Sequence, residues 1–270
     1  MSRKDIETLR KAQLFAARFG FITQDIFFQY LCPKGRSQSY FYWKALVDDG
    51  WFIRSTRDMR VCYLSRKSRT LLGAGCLPAR ALTYVDHDSQ LGAFYLSMNR
   101  TDLVLRAWTE ADLTRAPWEA YQILGSDRLS KIPDLILDLR TDRGFLRVAV
   151  EIEKTRKSRS RYAQMAMSYL DMPRIDLMIF GCESEVIVSE TRRAFLGENF
   201  QKAQKIPGTF LLNDFTERAF KAAFQFQGRD YEFAEFLRAA TRLENLEFPS
   251  VPDTRPDCVR GAKDKNSEAA

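Results

Sequence analysis

Two apolar runs, Lys131-Ile-Pro-Asp-Leu-Ile-Leu-Asp-Leu139 and Phe145-Leu-Arg-Val-Ala-Val-Glu-Ile-Glu-Lys154, constrain the fold more than any other part of this chain. They are separated by a short charged turn and read as paired strands. Side chains alternate across a strand, so Glu151 and Glu153 share one face while Val150, Ile152 and Lys154 take the other. Asp134 opens the first strand. An unpaired buried carboxylate costs several kcal/mol, so an apolar strand with two acids on one face presents them to water or to a cation. Asp134, Glu151 and Glu153 are therefore candidate ligands for a hard divalent cation such as magnesium.

Pro133-Asp134, followed at a hairpin's distance by Glu151-Ile-Glu153, resembles the signature of the PD-(D/E)XK nuclease superfamily. The resemblance implies a restriction-endonuclease-like mixed α/β domain with Asp134, Glu151 and Glu153 at a magnesium-dependent site. The family pattern has a lysine where this chain has Glu153. That lysine orients and polarises the attacking water and offsets transition-state charge. Lys154 comes one residue late and faces away on a regular strand, leaving Lys157 or Arg156 to take the role. The displaced cation weighs toward a nuclease-like domain that contacts DNA without cutting it. The alternative is a magnesium-dependent endonuclease using Asp134, Glu151, Glu153 and Lys157. Gln164 and Tyr169 resemble residues of some nuclease families, but their spacing is one residue too long and they stay outside the expected site.

At 270 residues, 45% hydrophobic and 13% aromatic, the chain has material for one large or two modest cores. No run approaches the length of a membrane span, and the first residues lack the apolar segment of a signal peptide, so a cytoplasmic protein with no membrane partner is expected. The five cysteines are scattered, with no Cys-x-x-Cys spacing, which argues against a disulfide framework or a zinc site. Residues 1–80 hold 15 Lys and Arg against 6 Asp and Glu, whereas the rest of the chain holds 27 against 29. A basic excess so concentrated favours a phosphate backbone as partner.

In that basic segment, Asp5–Phe19 has apolar residues near helical spacing (Ile6, Leu9, Leu14, Phe15, Phe19). Thr23 is placed to cap a short helix ending before Cys32-Pro-Lys-Gly35, and residues 36–50 read as a third helix with Phe41, Leu46 and Val47 available for the core. Two short β runs, 51–54 and 60–64, follow as a hairpin with arginines at its tip, and a basic helix starts near Ser65. This is the order of a winged helix-turn-helix, in which the third helix enters the major groove and the hairpin touches the backbone. Arg36, Ser37, Gln38, Ser39 and Tyr40 are the expected base or phosphate contacts, with Lys44 beside the groove and Arg54, Arg57 and Arg60 on the wing. Winged helices also dock proteins, but the local charge favours double-stranded DNA, and DNA binding of this kind needs no cofactor.

A turn-rich stretch around Gly73–Arg80 reads as a linker, giving a winged helix-turn-helix domain over 1–75 and a nuclease-like domain over 82–247. Residues 248–270, rich in Pro, charge and small side chains, read as a disordered tail. Within the second domain, Tyr84–Met98 reads as a helix capped by Asp86 or Asp88. Leu103–Trp108 reads as a strand, Thr109–Arg115 as a polar excursion, Ser158–Met172 and Ser189–Ala203 as helices, 174–181 and 208–213 as strands, and Thr216–Leu246 as one or two further helices. His87 is the only histidine and reads as a capping or packing residue more readily than as a base. Glu110 is a further ligand if the excursion folds over the sheet and a solvated acid otherwise. The five cations of Lys154–Arg161 form either a solvated turn or a guide for a phosphate backbone at the mouth of the acidic face.

An N-terminal winged helix, Asp86-His-Asp88 at the head of an apolar helix, Trp108-Thr-Glu110 after a strand, and Pro-Asp with Glu-x-acid are together similar to the replication-relaxation family of bacterial plasmids and integrative elements. The resemblance covers roughly residues 5–180. It implies a role in plasmid mobilisation during conjugation, in replication, or in its regulation, with relaxase or replication proteins as partners. A homodimer reading paired half-sites fits the same expectation, and a transcriptional regulator remains a third reading.

Overall fold

The computed structural model of the chain describes residues 3–73, 76–126, 131–243 and 246; the expected disordered tail over 248–270, with Cys258, lies outside the described residues. Helix α1 (Arg3–Phe19) buries Leu9, Ala12, Phe15, Ala16 and Phe19 along one stripe, while Ile6 and Leu14 stay exposed. After β1 (Ile22–Thr23), the Thr23 hydroxyl accepts a hydrogen bond from Ile26 N and caps α2 (Gln24–Ile26), which runs on as a π-helical turn over Phe27–Leu31. Helix α3 (Arg36–Asp48) buries Ser39, Trp43 and Leu46, spaced by four and three residues. Phe41, expected in the core, points outward because that face belongs to Trp43. Strands β2 (Phe52–Arg54) and β3 (Val61–Leu64) form the expected hairpin, and β1 pairs with β3 to complete a three-stranded antiparallel sheet ordered β1-β3-β2. Ser65 caps α4 (Arg66–Leu72).

Helix α5 (Leu82–Met98) starts earlier than expected, so Asp86 and Asp88 lie inside it and do not cap it. The elements that follow are β4 (Val104–Thr109), α6 (Glu110–Arg115), α7 (Pro117–Leu124), β5 (Leu135–Thr141), β6 (Gly144–Glu153), α8 (Arg159–Leu170) and β7 (Leu177–Cys182). The described chain ends through α9 (Glu185–Ala194), α10 (Glu198–Lys202), β8 (Pro207–Leu211), α11 (Leu212–Arg218), β9 (Ala223–Phe226), β10 (Arg229–Glu232) and α12 (Phe233–Thr241). Seven strands form one sheet ordered β10-β9-β8-β7-β6-β5-β4. Strands β6, β7 and β8 run parallel and the remaining pairs are antiparallel.

Three stretches depart from the expected elements. The polar excursion is helix α6, nucleated by a capping box in which Thr109 and Asp112 satisfy each other's backbone N–H groups. Residues 189–203 hold two helices, because the chain breaks around Phe195, whose ring is buried. The stretch read as purely helical beyond Thr216 contains the β9–β10 hairpin. Gln227 and Gly228, at φ 51° and 75°, make the left-handed turn that a two-residue hairpin requires.

Each sheet face carries its own apolar layer. Ile136 and Ala149 face a cluster with α6–α9, while Leu135, Leu137, Val148, Val150 and Ile152 face a second cluster. That second cluster runs without interruption from Leu9 of α1, through Phe94 of α5, to Leu237 of α12. The N-terminal segment is therefore seated on α5. The Phe15 ring occupies the space above Gly92, where a Cβ would stand 2.6 Å from it. Arg18 donates to Tyr95 Oη at 2.9 Å, and Arg100 donates to the carbonyls of Gln29 and Tyr30 at 3.1 and 2.8 Å.

Candidate functional site

The end of β6, the start of β5, the head of α5 and the chain leading into α8 enclose a cleft of about 760 Å³. Asp134, Glu151, Glu153 and Lys157 all line it, as do His87, Glu110, Lys131 and Lys154. Glu151 and Glu153 share a face of β6 and are buried, and burial demands that each carboxylate be paired. Each has a cation. Lys131 Nζ donates to Glu151 Oε2 at 2.5 Å, Tyr169 Oη donates to the other Glu151 oxygen at 2.5 Å, and Lys157 donates to Glu153. Lys154 leaves the acidic face, as the strand alternation requires, and pairs with Asp86 and Glu183 instead.

Asp134 is held from two sides. Ile152 N donates to its Oδ2 at 2.9 Å, and His87 Nε2 lies 3.3 Å from the same oxygen. The imidazole also donates to Ile152 O at 3.0 Å and, through Nδ1, to Asp88 at 2.9 Å, while Arg80 donates to the second Asp88 oxygen at 2.7 Å. With acceptors at both ring nitrogens, His87 serves as a doubly protonated cation. It is thus neither a helix cap nor apolar packing.

These contacts set the protonation pattern. Burial opposes charge on His87, but hydrogen bonds to Asp134 and Asp88 outweigh it and push the imidazole up to about 10. Burial likewise raises Asp134, yet the His87 hydrogen bond and the Lys131 charge hold it down at about 2. Glu151 goes the other way. Burial and then the neighbouring Asp134 charge raise it to about 8, against the opposing pull of Lys131 and Tyr169. Glu110, at the rim, is raised by burial and by Asp134.

Among the described residues no group of three His, Cys, Asp or Glu side chains is placed to hold a metal ion. The donor set agrees. Both Glu151 oxygens and Asp134 Oδ2 already accept hydrogen bonds from protein donors, and Glu153 is matched to Lys157. In this arrangement the oxygens of Asp134, Glu151 and Glu153 are turned to the protein's own donors, so a magnesium ion there would have to displace Lys131, Lys157 or His87 from them.

The surface expected to meet DNA divides. Ser37, Gln38, Tyr40 and Lys44 are exposed along α3, and Arg57 is exposed at the hairpin tip. Ser39 is buried, and its hydroxyl donates to Cys32 O and Lys34 O at 2.8 and 3.1 Å, so it fastens the preceding turn instead of facing DNA. Arg60 is exposed and paired with Asp58 at 3.1 Å, whereas Arg54 is half-buried with an Nε that has no hydrogen-bond partner among the described residues. Arg36 opens α3, and its side chain lies outside what the structure describes.

Sequence reasoning missed Lys131 and Tyr169 as partners of Glu151. The signals were a lysine just ahead of Pro133-Asp134, whose distance from Glu151 depends on how β5 and β6 pair, and the nuclease-like Tyr169 set aside because its spacing is one residue too long. No described helix is long and apolar enough to cross a membrane. In comparisons with known proteins, no family model, no curated protein and no solved structure matches the chain.

Proposed function

We propose that this chain is a double-stranded-DNA-binding protein of a mobile genetic element. In this reading the N-terminal segment docks as a winged helix, and the nuclease-like sheet domain contacts DNA or a partner without cutting. The observation that carries it is the outward face of α3, with Ser37, Gln38, Tyr40 and Lys44 exposed beside the hairpin that presents Arg57. Side chains of this kind read base edges and fix the backbone when a helix lies in the major groove. The element order from α5 through β4, β5, β6, α8 and β7 supports the likeness of the second domain to restriction endonucleases. The acids Asp134, Glu151 and Glu153 are matched by Lys131, Lys157 and His87, which favours a site compensated by the protein's own cations. A role in mobilisation, replication or its regulation rests on the resemblance to the replication-relaxation family. A homodimer on paired half-sites, or docking to a relaxase, belongs to the same reading.

One observation favours a second reading, a metal-dependent endonuclease. Lys131 brings to Glu151 the ammonium that the motif lacks at Glu153. Incubating the pure protein with supercoiled and linear DNA, in magnesium, manganese or EDTA, tests both. The first reading expects shifted, intact DNA in every lane, lost in the Gln38→Ala, Arg57→Ala double variant and retained in Asp134→Ala. Metal-dependent nicking that disappears in Asp134→Ala, Glu151→Ala and Lys131→Met would make the protein an enzyme. Absence of any shift would remove the DNA-binding reading.

A further inference from the structure

We infer that the outer face of α7, with the edge strand beside it, is a stacking platform for single-stranded DNA. The inference takes its class of partner from the DNA-binding reading, but it uses none of the residues of α3, the hairpin or the acidic cleft.

Helix α7 buries Ala120, Ile123 and Leu124, which places Trp118 and Tyr121 together on the opposite face. Trp118 is 72% exposed, and its ring stacks on Tyr121 with centroids 5.6 Å apart and planes 27° from parallel. This leaves one broad aromatic surface in water. The aromatic row continues onto the sheet, where Trp108 Nε1 donates to Glu119 at 2.8 Å and ties β4 to α7. Beneath them the buried Arg147 guanidinium, held by Asp138 and Ile123 O, supports the Trp108 ring at 5.9 Å and the exposed Phe145 ring at 5.1 Å from within.

Charge favours a polyanion as the occupant. Arg106 on the edge strand β4 and Arg140 on its neighbour β5 are exposed, and Arg174 donates to Gln122 O on α7. Asp138 is neutralised by Arg147, so Glu119, which accepts from the Trp108 indole and keeps its charge, is set against the three arginines. Aromatic planes interleaved with guanidinium groups are how proteins hold unpaired bases without reading their sequence. The platform also lies close to the cleft along the chain. Helix α6, which precedes α7, begins at Glu110 on the cleft rim and spans roughly 9 Å at 1.5 Å per residue. A strand displaced from a duplex held by the N-terminal segment would have unpaired bases to offer there.

Fluorescence anisotropy on the full chain, with a labelled oligothymidylate and a labelled duplex, tests this. Trp118→Ala is expected to weaken oligothymidylate binding roughly tenfold or more, with duplex affinity and the circular dichroism spectrum unchanged and with Trp118→Phe retaining most of the binding. Gln38→Ala should show the reverse selectivity. Oligothymidylate binding that is absent in the wild type, or equal in Trp118→Ala, overturns the platform. So does a parallel loss of duplex and single-strand binding, or a change of oligomeric state in Trp118→Ala, which would make the occupant a second copy of the chain. Trp118-dependent oligothymidylate binding without duplex binding would sustain the platform while removing the winged-helix reading.

Discussion

Lys131 Nζ and Glu151 Oε2 lie 2.5 Å apart, joining the segment that leads into β5 to the buried end of β6. The pair sits where one strand's acids would otherwise be left without compensation, and it links the stability of the sheet to the charge of the cleft.

Replacing Lys131 with Met should therefore destabilise the fold in a pH-dependent way. The Glu151 carboxyl titrates near 4.5 when unfolded and near 8 when folded, so its ionisation lowers stability as pH rises between those values. Without Lys131 the folded value climbs further. The deficit against wild type should be larger at pH 9 than at pH 5, where Glu151 is neutral, by about 1 kcal/mol, because a carboxyl already raised to about 8 loses no more than about 1.4 kcal/mol for each pH unit above that value. Urea unfolding at the two pH values measures it, and an equal deficit at both would contradict the assignment.

His87, the only histidine, is a clean spectroscopic probe of the cleft. Its imidazole is raised from 6.5 to about 10, so its contribution to stability is complete below pH 6.5 and is lost as pH rises through about 10. In proton NMR its ring resonance should stay in the imidazolium position from about pH 5.5 to 8.5. In Asp134→Asn it should titrate at a lower pH, moving back toward the ordinary histidine range.

Neighbouring residues of α3 should respond differently. Gln38→Ala is expected to weaken binding to a preferred duplex about tenfold with little change in stability. Ser39→Ala removes the hydroxyl shared by two carbonyls, of which Cys32 O keeps the Lys34 N–H, and should cost about 1 kcal/mol in unfolding while leaving affinity per folded molecule near wild type. Parallel gel-shift and thermal-melt series on both variants would show whether the face is assigned correctly.

Gly92→Ala tests the seam between the two segments. A methyl group there would stand 2.6 Å from the Phe15 ring, and overpacking of that kind costs about 1–3 kcal/mol, set against at most about 1 kcal/mol gained from helix propensity. Because the apolar cluster is continuous from α1 to α12, wild-type unfolding should be a single transition by both tryptophan fluorescence and circular dichroism. Two separated transitions would contradict the shared core.

Local pattern in the sequence was enough to place the three N-terminal helices and their hairpin, the strand that Asp134 immediately precedes, the strand carrying Glu151, and the common face of Glu151 and Glu153. Periodicity and turn chemistry act within a few residues, and these elements obey them. The same local signals failed at the β9–β10 hairpin, where a run of phenylalanines reads equally well as helix, and at Phe41, whose place in the core goes to Trp43 two residues away. What each acid is paired with lay beyond their reach. Lys131 meets Glu151 because of the strand register, His87 meets Asp134 because α5 packs across the start of β5 and the end of β6, and Trp118 is left in water because Ile123 and Leu124 claim the other side of α7. Charge compensation and burial are settled between residues far apart in the chain, so tertiary packing decides them.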